Sequence, residues 1–105
     1  MKRGEIWWAE LPRPAGRRPV ILLSRDEAYQ VRKLVTVAPV TTRVRGSPVE
    51  VALGPKDGMP RECVVNLDTV TTIPKDALKE RLTVLSRSQM TAVEGALRFA
   101  LGLET

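Results

Sequence analysis

The stretch Arg17-Arg18-Pro19-Val20-Ile21-Leu22-Leu23-Ser24 decides the fold, because a run of branched apolar residues begins directly after a proline. Such a run is typical of a buried β-strand. Proline fits the first position of a strand, where the ladder requires no N–H from it, and its ring favours an extended Arg18. We therefore predict a strand over residues 18–24 that begins at two fixed cations. The arginines could clamp a phosphate, or they could only solubilise the end of a core strand.

The rest of the chain predicts a single, mainly β domain over residues 1–105 that a helix closes. Short apolar segments bounded by prolines and glycines are predicted strands. They are residues 4–11, 33–40, 48–53 and 62–68, while residues 70–73 could extend the sheet and residues 81–85 could add a further short strand. A capping pattern at Ser24 and Glu27 predicts a turn or short helix, and a second at Ser86 predicts a terminal helix that stops at Gly102. Five or six strands and one such helix predict a strongly curved sheet or small barrel.

The charge distribution predicts a polyanionic partner. Residues 1–46 hold ten Lys and Arg against four Asp and Glu, whereas residues 47–105 hold seven against eight, and the net charge is +5. Most cations of the front half flank apolar runs, where they can form one patch. A basic patch on an otherwise neutral domain favours nucleic acid as the partner.

Polar residues near the strand ends are the candidates for phosphate contact. The third predicted strand runs into a threonine pair and alternating arginines, which are Thr41, Thr42, Arg43 and Arg45. Strand alternation over residues 62–68 would place Asn66 and Asp68 on one face. The proline-rich connection after the first strand would bring Arg13 close to Arg17 and Arg18. The alternative is a plain strand that ends in a basic loop.

Two tryptophans lie side by side in the first predicted strand. Trp7 and Trp8 would point to opposite faces of the sheet. We expect both to pack in the core, and base stacking is the alternative.

The sequence lacks residues that several classes of functional site usually need. The chain has no histidine and a single cysteine, Cys63, so the usual zinc ligands and the usual catalytic base are missing, and no internal disulfide is expected. No apolar run is long enough for a membrane span, and the N-terminus is not a signal peptide. Asp26 and Glu27, the adjacent acidic pair, fit a solvated turn better than a metal nuclease site. We expect a cytoplasmic protein without a metal or a cofactor.

Five short motifs, in order along the chain, resemble the MazF/PemK/Kid toxins. They are Gly4-Glu5-Ile6-Trp7, Arg18-Pro19-Val20-Ile21-Leu22, Pro39-Val40-Thr41, Thr72-Ile73-Pro74 and Leu101-Gly102-Leu103. The resemblance implies an SH3-like small barrel with a C-terminal helix, which forms a homodimer. It also implies a sequence-specific endoribonuclease that cleaves single-stranded messenger RNA without metal, and a cognate antitoxin protein that blocks the site.

The resemblance also implies roles for individual residues. Arg18 takes the position of the principal catalytic arginine, and Thr41 that of the threonine closing the third strand. Asp68 takes the position of a carboxylate that some members use, but Asn66 stands where those members have an arginine. The expected RNA contacts are Arg13, Arg17, Thr42, Arg43, Arg45 and Asn66.

The implied reaction is attack of a ribose 2′-OH on the adjacent phosphorus, which leaves a 2′,3′-cyclic phosphate and a 5′-OH. Arg18 can stabilise the phosphorane with two N–H donors. Arginine is a poor base at neutral pH, so Asp68 or Glu27 is the candidate base. The competing hypothesis is a non-catalytic SH3-like barrel that binds nucleic acid or a protein such as DNA gyrase.

Overall fold

A seven-stranded antiparallel sheet and two helices make up the computed structural model, which describes residues 1–103. The last two residues of the predicted domain, 104–105, lie outside the described residues. The strands are β1 (Glu5–Glu10), β2 (Arg17–Leu22), β3 (Leu34–Thr41), β4 (Glu50–Leu53), β5 (Cys63–Asn66), β6 (Thr71–Pro74) and β7 (Leu78–Val84). The helices are α1 (Ala28–Val31) and α2 (Arg87–Leu101). No helix in this described part of the chain is long and apolar enough to cross a membrane.

Strand β3 connects the two halves of the sheet. The strand order is β4-β5-β3-β2-β1-β7, and β6 also pairs with β3. The first half of β3 pairs with β6 from Leu34 to Val37, and its end pairs with β5 at Val40 and Thr41. Because β3 changes partner along its length, the sheet curves, and β5 lies beside the end of β3.

The apolar run of β2 is buried on both faces of the sheet, which explains why it does not alternate with polar residues. Ile21 lies in a core that α2 covers with Val93. Val20 and Leu22 lie in a second core on the opposite face, together with Tyr29. The strand that carries Arg18 is therefore fixed by packing on both sides.

The predicted terminal helix is confirmed, including both of its ends. The hydroxyl of Ser86 accepts a hydrogen bond from the Gln89 backbone N–H at 3.2 Å, as an N-cap residue does. The Gln89 side chain donates to Asp57 at 2.9 Å instead of reaching back to the N-cap. Gly102 ends the helix in the left-handed region at φ 69°.

The capping pattern at Ser24 and Glu27 is wrong as a helix start. The Ser24 hydroxyl accepts a hydrogen bond from the Thr36 backbone N–H at 2.8 Å, so it is used between segments and not for capping. Helix α1 begins only at Ala28 and has no side-chain cap. The strand predicted over 18–24 is shifted as well, because β2 covers Arg17–Leu22.

We expect Gly58→Ala to lower the free energy of unfolding more than Gly46→Ala. Both glycines have positive φ, 91° and 74°, so alanine at either position costs about 1 kcal/mol of backbone strain. A Cβ at Gly58 would also clash with the Thr83 hydroxyl, which donates to the Asp57 carbonyl at 3.0 Å. We therefore expect a loss of about 3 kcal/mol at Gly58, measured by denaturant unfolding.

The Gly46→Ala variant is the control, because a Cβ there meets no described atom within 4 Å. Equal losses in the two variants would contradict this account of the contact with Thr83.

Candidate active site

A polar groove lies where the ends of β2, β3 and β5 meet. Its volume is about 380 Å³. The residues that line it are Arg18, Pro39, Thr41, Arg43, Arg45, Asn66 and Thr69. Five of these residues were predicted from the sequence as site residues. The groove thus combines cationic and hydrogen-bonding groups from three separate segments of the chain, residues 18, 39–45 and 66–69.

Two prolines explain why the groove opens at this point. The ladder between β2 and β3 ends at the pair Val20 and Pro39. Neither Pro19 nor Pro39 has a backbone N–H to donate. Backbone hydrogen bonds that would continue the pairing of β2 with β3 therefore lack these donors. Arg18 and Thr41 lie just beyond this end, and both line the groove.

Arg18 carries an unpaired donor inside the protein. Its Nε is buried, and no hydrogen-bond acceptor within residues 1–103 reaches it. Its side chain also takes part in none of the ion pairs formed by these residues. A buried donor without an acceptor is costly and rare in native proteins. An anion in the groove would satisfy it, since a guanidinium group binds phosphate oxygens with two parallel N–H donors.

Thr41 and Asn66 are oriented as donors by their own hydrogen bonds. The Thr41 hydroxyl oxygen accepts from the Arg43 backbone N–H at 3.1 Å, which leaves its proton free to donate. The Asn66 carbonyl oxygen accepts from the Asp68 backbone N–H at 2.9 Å, which leaves the amide NH₂ to donate. Both side chains therefore add N–H or O–H donors to the groove beside Arg18.

Glu50 anchors the loop that carries the two exposed arginines. Its carboxylate accepts backbone N–H bonds from Arg45 at 3.1 Å and from Gly46 at 2.9 Å. These bonds tie the loop to the start of β4. Arg43 and Arg45 form no ion pair with a residue of the described range. Their guanidinium groups thus stay available at the groove.

A second, mainly apolar cavity shares Thr41 with the groove. Its volume is about 230 Å³. Its lining consists of Trp8, Pro19, Val40, Thr41, Thr42, Met59, Pro60, Arg61 and Cys63. Burial raises the pKa of the Cys63 thiol, and the nearby Glu62 and Asp57 charges add to this shift. The thiol is therefore protonated at neutral pH and is not an activated nucleophile.

Arg13, Arg17 and Thr42 do not line the groove. Arg17 lies 4.8 Å above the Trp8 ring and pairs with Glu10 at 3.9 Å. Thr42 lines the second cavity, and Arg13 is exposed in the loop between β1 and β2.

Asp68 does not line the groove either. The prediction that Asn66 and Asp68 share one face of a strand is wrong. Strand β5 ends at Asn66, and residues 67–69 form a 3₁₀ turn. Asp68 is therefore exposed on this turn and does not project from the same strand face as Asn66. Its role as a general base stays a prediction that the resemblance alone supports. Within residues 1–103, no group of three or more Cys, Asp or Glu side chains is arranged to hold a metal ion.

Two residues at the groove were not predicted from the sequence. Glu50 anchors the loop after β3, and Thr69 lines the groove. A signal for Glu50 was available, because a glycine followed four residues later by a carboxylate suits a turn whose N–H groups need an acceptor. Nothing in the sequence pattern pointed to Thr69, which the groove acquires through the 3₁₀ turn after β5.

A family model supplies the identity that this geometry indicates. The model described as "PemK-like, MazF-like toxin of type II toxin-antitoxin system" matches residues 2–101. The chain belongs to this toxin family. The family predicted from the five sequence motifs is therefore confirmed.

Relatives and solved structures agree with the family. The chain is 44% identical over 100 residues to the Mycobacterium tuberculosis (strain ATCC 25618 / H37Rv) protein named "Probable endoribonuclease MazF5", covering 94% of this chain and 91% of the relative. The solved Mycobacterium tuberculosis toxin MazF-mt6 superposes with a TM-score of 0.88 at 35% identity, over 96% of this chain and 99% of that one. An endoribonuclease solved with its cognate antitoxin from a mycobacterial species gives 0.90 at 30% identity, over 100% and 98%.

These similarities confirm the predicted fold class, a mainly β small barrel with a C-terminal helix. The prediction of an endoribonuclease toxin is confirmed by the same relatives.

We expect Glu50→Ala to weaken RNA binding although it removes a negative charge beside a cationic groove. Charge alone predicts tighter binding of a polyanion. Loss of the carboxylate frees the N–H groups of Arg45 and Gly46, so the loop must then be ordered when RNA binds. We expect about a 10-fold higher Kd, measured by fluorescence anisotropy with a single-stranded RNA that carries 2′-deoxyribose throughout its cleavage site.

Asp76→Ala is the matched control, since it removes the same charge from an exposed position outside the groove. An unchanged or lower Kd in Glu50→Ala would show that charge, and not loop order, dominates.

Proposed function

We propose that this protein is the toxin of a type II toxin–antitoxin system and cleaves single-stranded messenger RNA in the groove around Arg18. The buried, unpaired Nε of Arg18 is the observation that carries the proposal. It stands among further donors from Thr41 and Asn66 and two unpaired arginines. A site rich in donors and cations, in which the side-chain acceptors of Thr41 and Asn66 are already occupied, suits the oxygens of a phosphodiester.

The reaction is transfer of the phosphoryl group to the neighbouring ribose oxygen. The 2′-OH attacks phosphorus, the bond from phosphorus to the 5′-oxygen breaks, and the products carry a 2′,3′-cyclic phosphate and a 5′-OH. Arg18 stabilises the charge that develops on the non-bridging oxygens, which is commonly worth about 3–4 kcal/mol per donor. Thr41 and Asn66 donate to the same oxygens and fix the phosphate in place.

Two protons must also move during this reaction. One leaves the 2′-OH and one reaches the departing 5′-oxygen. A guanidinium group is a poor base at neutral pH, and the amide of Asn66 is neither an acid nor a base. We propose Asp68 for the base on the strength of its family position alone, and it would have to reach the groove through a bound water or a movement of residues 67–69.

The partners follow from the family. We propose that a cognate antitoxin protein covers the groove and so blocks cleavage, as expected for a toxin whose site must be silenced. We further propose that the toxin works as a homodimer in the cytoplasm, where its RNA substrate is found. No step of the reaction draws on a metal or another cofactor.

We expect Arg18→Ala to lower kcat/KM for RNA cleavage by about 100-fold or more, because it removes the donors to the phosphorane. Arg18→Lys should lose most of this activity as well, since an ammonium keeps the charge but not the fork of two N–H donors. Both are measured with a short single-stranded RNA under single-turnover conditions.

Arg25→Ala serves as the control, because Arg25 is an exposed arginine of the same basic half and lies outside both cavities. Wild-type rates in the lysine variant would exclude two-donor stabilisation by Arg18.

We expect purified protein to cut single-stranded RNA into fragments with 2′,3′-cyclic phosphate and 5′-OH ends. A single 2′-deoxyribose at the cleavage site should prevent the cut, because the attacking hydroxyl is gone. EDTA should leave the rate unchanged. The ends are mapped by mass spectrometry.

A cut at the deoxy position would require a different nucleophile. RNA that is bound but left intact would favour the non-catalytic barrel instead.

A further inference from the structure

A second cationic site lies at the start of β3, whereas the groove lies at the end of this strand. It is a pocket of about 330 Å³. Its lining consists of Lys33, Leu34, Pro74, Lys75 and Asp76, and it shares no residue with the groove. Strand β3 spans Leu34–Thr41, and a strand rises about 3.3 Å per residue. The two sites are therefore about 23 Å apart along the strand.

The backbone holds the two lysines of this pocket close together. The Lys75 N–H donates to the Lys33 carbonyl at 2.8 Å, directly beside the pair Leu34 and Pro74 of the ladder between β3 and β6. Neither lysine forms an ion pair with a residue of the range 1–103, although Asp76 lines the same pocket. The pocket therefore keeps a net positive charge. Two ammonium groups in one pocket repel each other, and a bound anion would offset that repulsion.

Lys75 is positioned before a ligand binds. Its Nζ donates to the Tyr29 carbonyl at 2.7 Å, and the residue is half-buried. An ammonium group has further N–H donors beyond this one, and they remain for a ligand in the pocket. A cation that is held in place loses little side-chain entropy when it binds an anion. Lys33 lines the same pocket and supplies the second positive charge.

We propose that this pocket binds a backbone phosphate of the RNA that is cleaved in the groove. The inference rests on the proposed function and gives the substrate a second point of attachment. Leu34 and Pro74 have no hydrogen-bonding side chain with which to read a base, so the contact is to the phosphate and does not depend on sequence. A strand that is stacked as in a duplex advances about 3.4 Å per nucleotide, so about seven nucleotides cover the distance of about 23 Å.

The salt dependence of binding to a short and a long RNA tests this proposal. Both RNAs contain the mapped cleavage site with a 2′-deoxyribose at the cut, and Kd is measured by fluorescence anisotropy. The short RNA has flanks of about two nucleotides and stays within the groove, whereas the long RNA has flanks of about twelve nucleotides and reaches the pocket. Each phosphate contact contributes about 0.7 to the slope of log Kd against log salt concentration. Lys33→Gln should therefore lower this slope by about 0.7 with the long RNA and leave it unchanged with the short RNA.

Lys79→Gln is the matched control. It removes the same charge from an exposed lysine in the adjoining strand β7 that does not line the pocket. This variant should keep the wild-type slope with both RNAs. An equal decrease of the slope in Lys79→Gln would show that RNA responds only to the overall charge of this surface, and it would overturn the proposal. An unchanged slope in Lys33→Gln with the long RNA would overturn it as well.

Asp76→Ala changes the pocket in the opposite direction. It removes the negative charge of the lining, so the long RNA should bind about 2- to 5-fold more tightly. The short RNA should bind as it does to the wild type, because Asp76 lies outside the groove. The comparison of Glu50→Ala with Asp76→Ala is therefore made with the short RNA. Equal affinity of Asp76→Ala and the wild type for the long RNA would contradict binding in this pocket.

Cleavage separates the failure of this proposal from the failure of the proposed function. With long RNA that carries ribose at the cut, Lys33→Gln should raise KM and leave kcat unchanged, since the pocket binds substrate but touches no reacting atom. If the wild type cuts both RNAs and Lys33→Gln has the wild-type KM for the long one, the second site is excluded while the cleavage activity stands. If the wild type cuts no RNA, the proposed function fails, and homopolymers of the two lengths then decide the second site by the same slopes.

Discussion

The change of partner along β3 is the constraint on which the site depends. The strand pairs first with β6 and then, at Val40 and Thr41, with β5. On its other edge it pairs with β2 only as far as Val20 and Pro39. The end of β3 is therefore held on one edge and open on the other. An opening between strand ends, with Arg18 on one side and Asn66 on the other, follows directly from this arrangement.

Adjacent arginines in β2 show how much a strand sequence predicts. Alternation along the strand points Arg17 and Arg18 to opposite sides, so only one of the two can serve the groove. The sequence motif identified Arg18, and the groove includes it. Arg17 instead stabilises the fold by pairing with Glu10 and stacking on Trp8. The cation count of the sequence predicted a basic patch, but it could not separate an arginine already paired with acids from one left free.

The remaining errors have a common physical cause. Local patterns specify caps and strand faces, whereas the observed contacts depend on segments distant in sequence. Ser24 has the right chemistry for an N-cap, yet Thr36 offers it a backbone N–H across the sheet. Asp68 would continue the face of Asn66 if β5 were longer, but the chain turns at residues 67–69 to meet α2 and β3. Periodicity within one segment contains no information about either event.

Glu50 shows how the fold can stabilise a cationic site without neutralising its arginines. Arg18, Arg43 and Arg45 repel one another, and a carboxylate paired with any of them would relieve that repulsion. Glu50 binds backbone N–H groups of the loop instead. The fold thus gains an anchored loop while the guanidinium groups remain unpaired. The repulsion among the arginines and the unpaired Nε of Arg18 both raise the free energy of the unbound protein. A bound polyanion removes both effects, and this contributes part of the affinity for RNA.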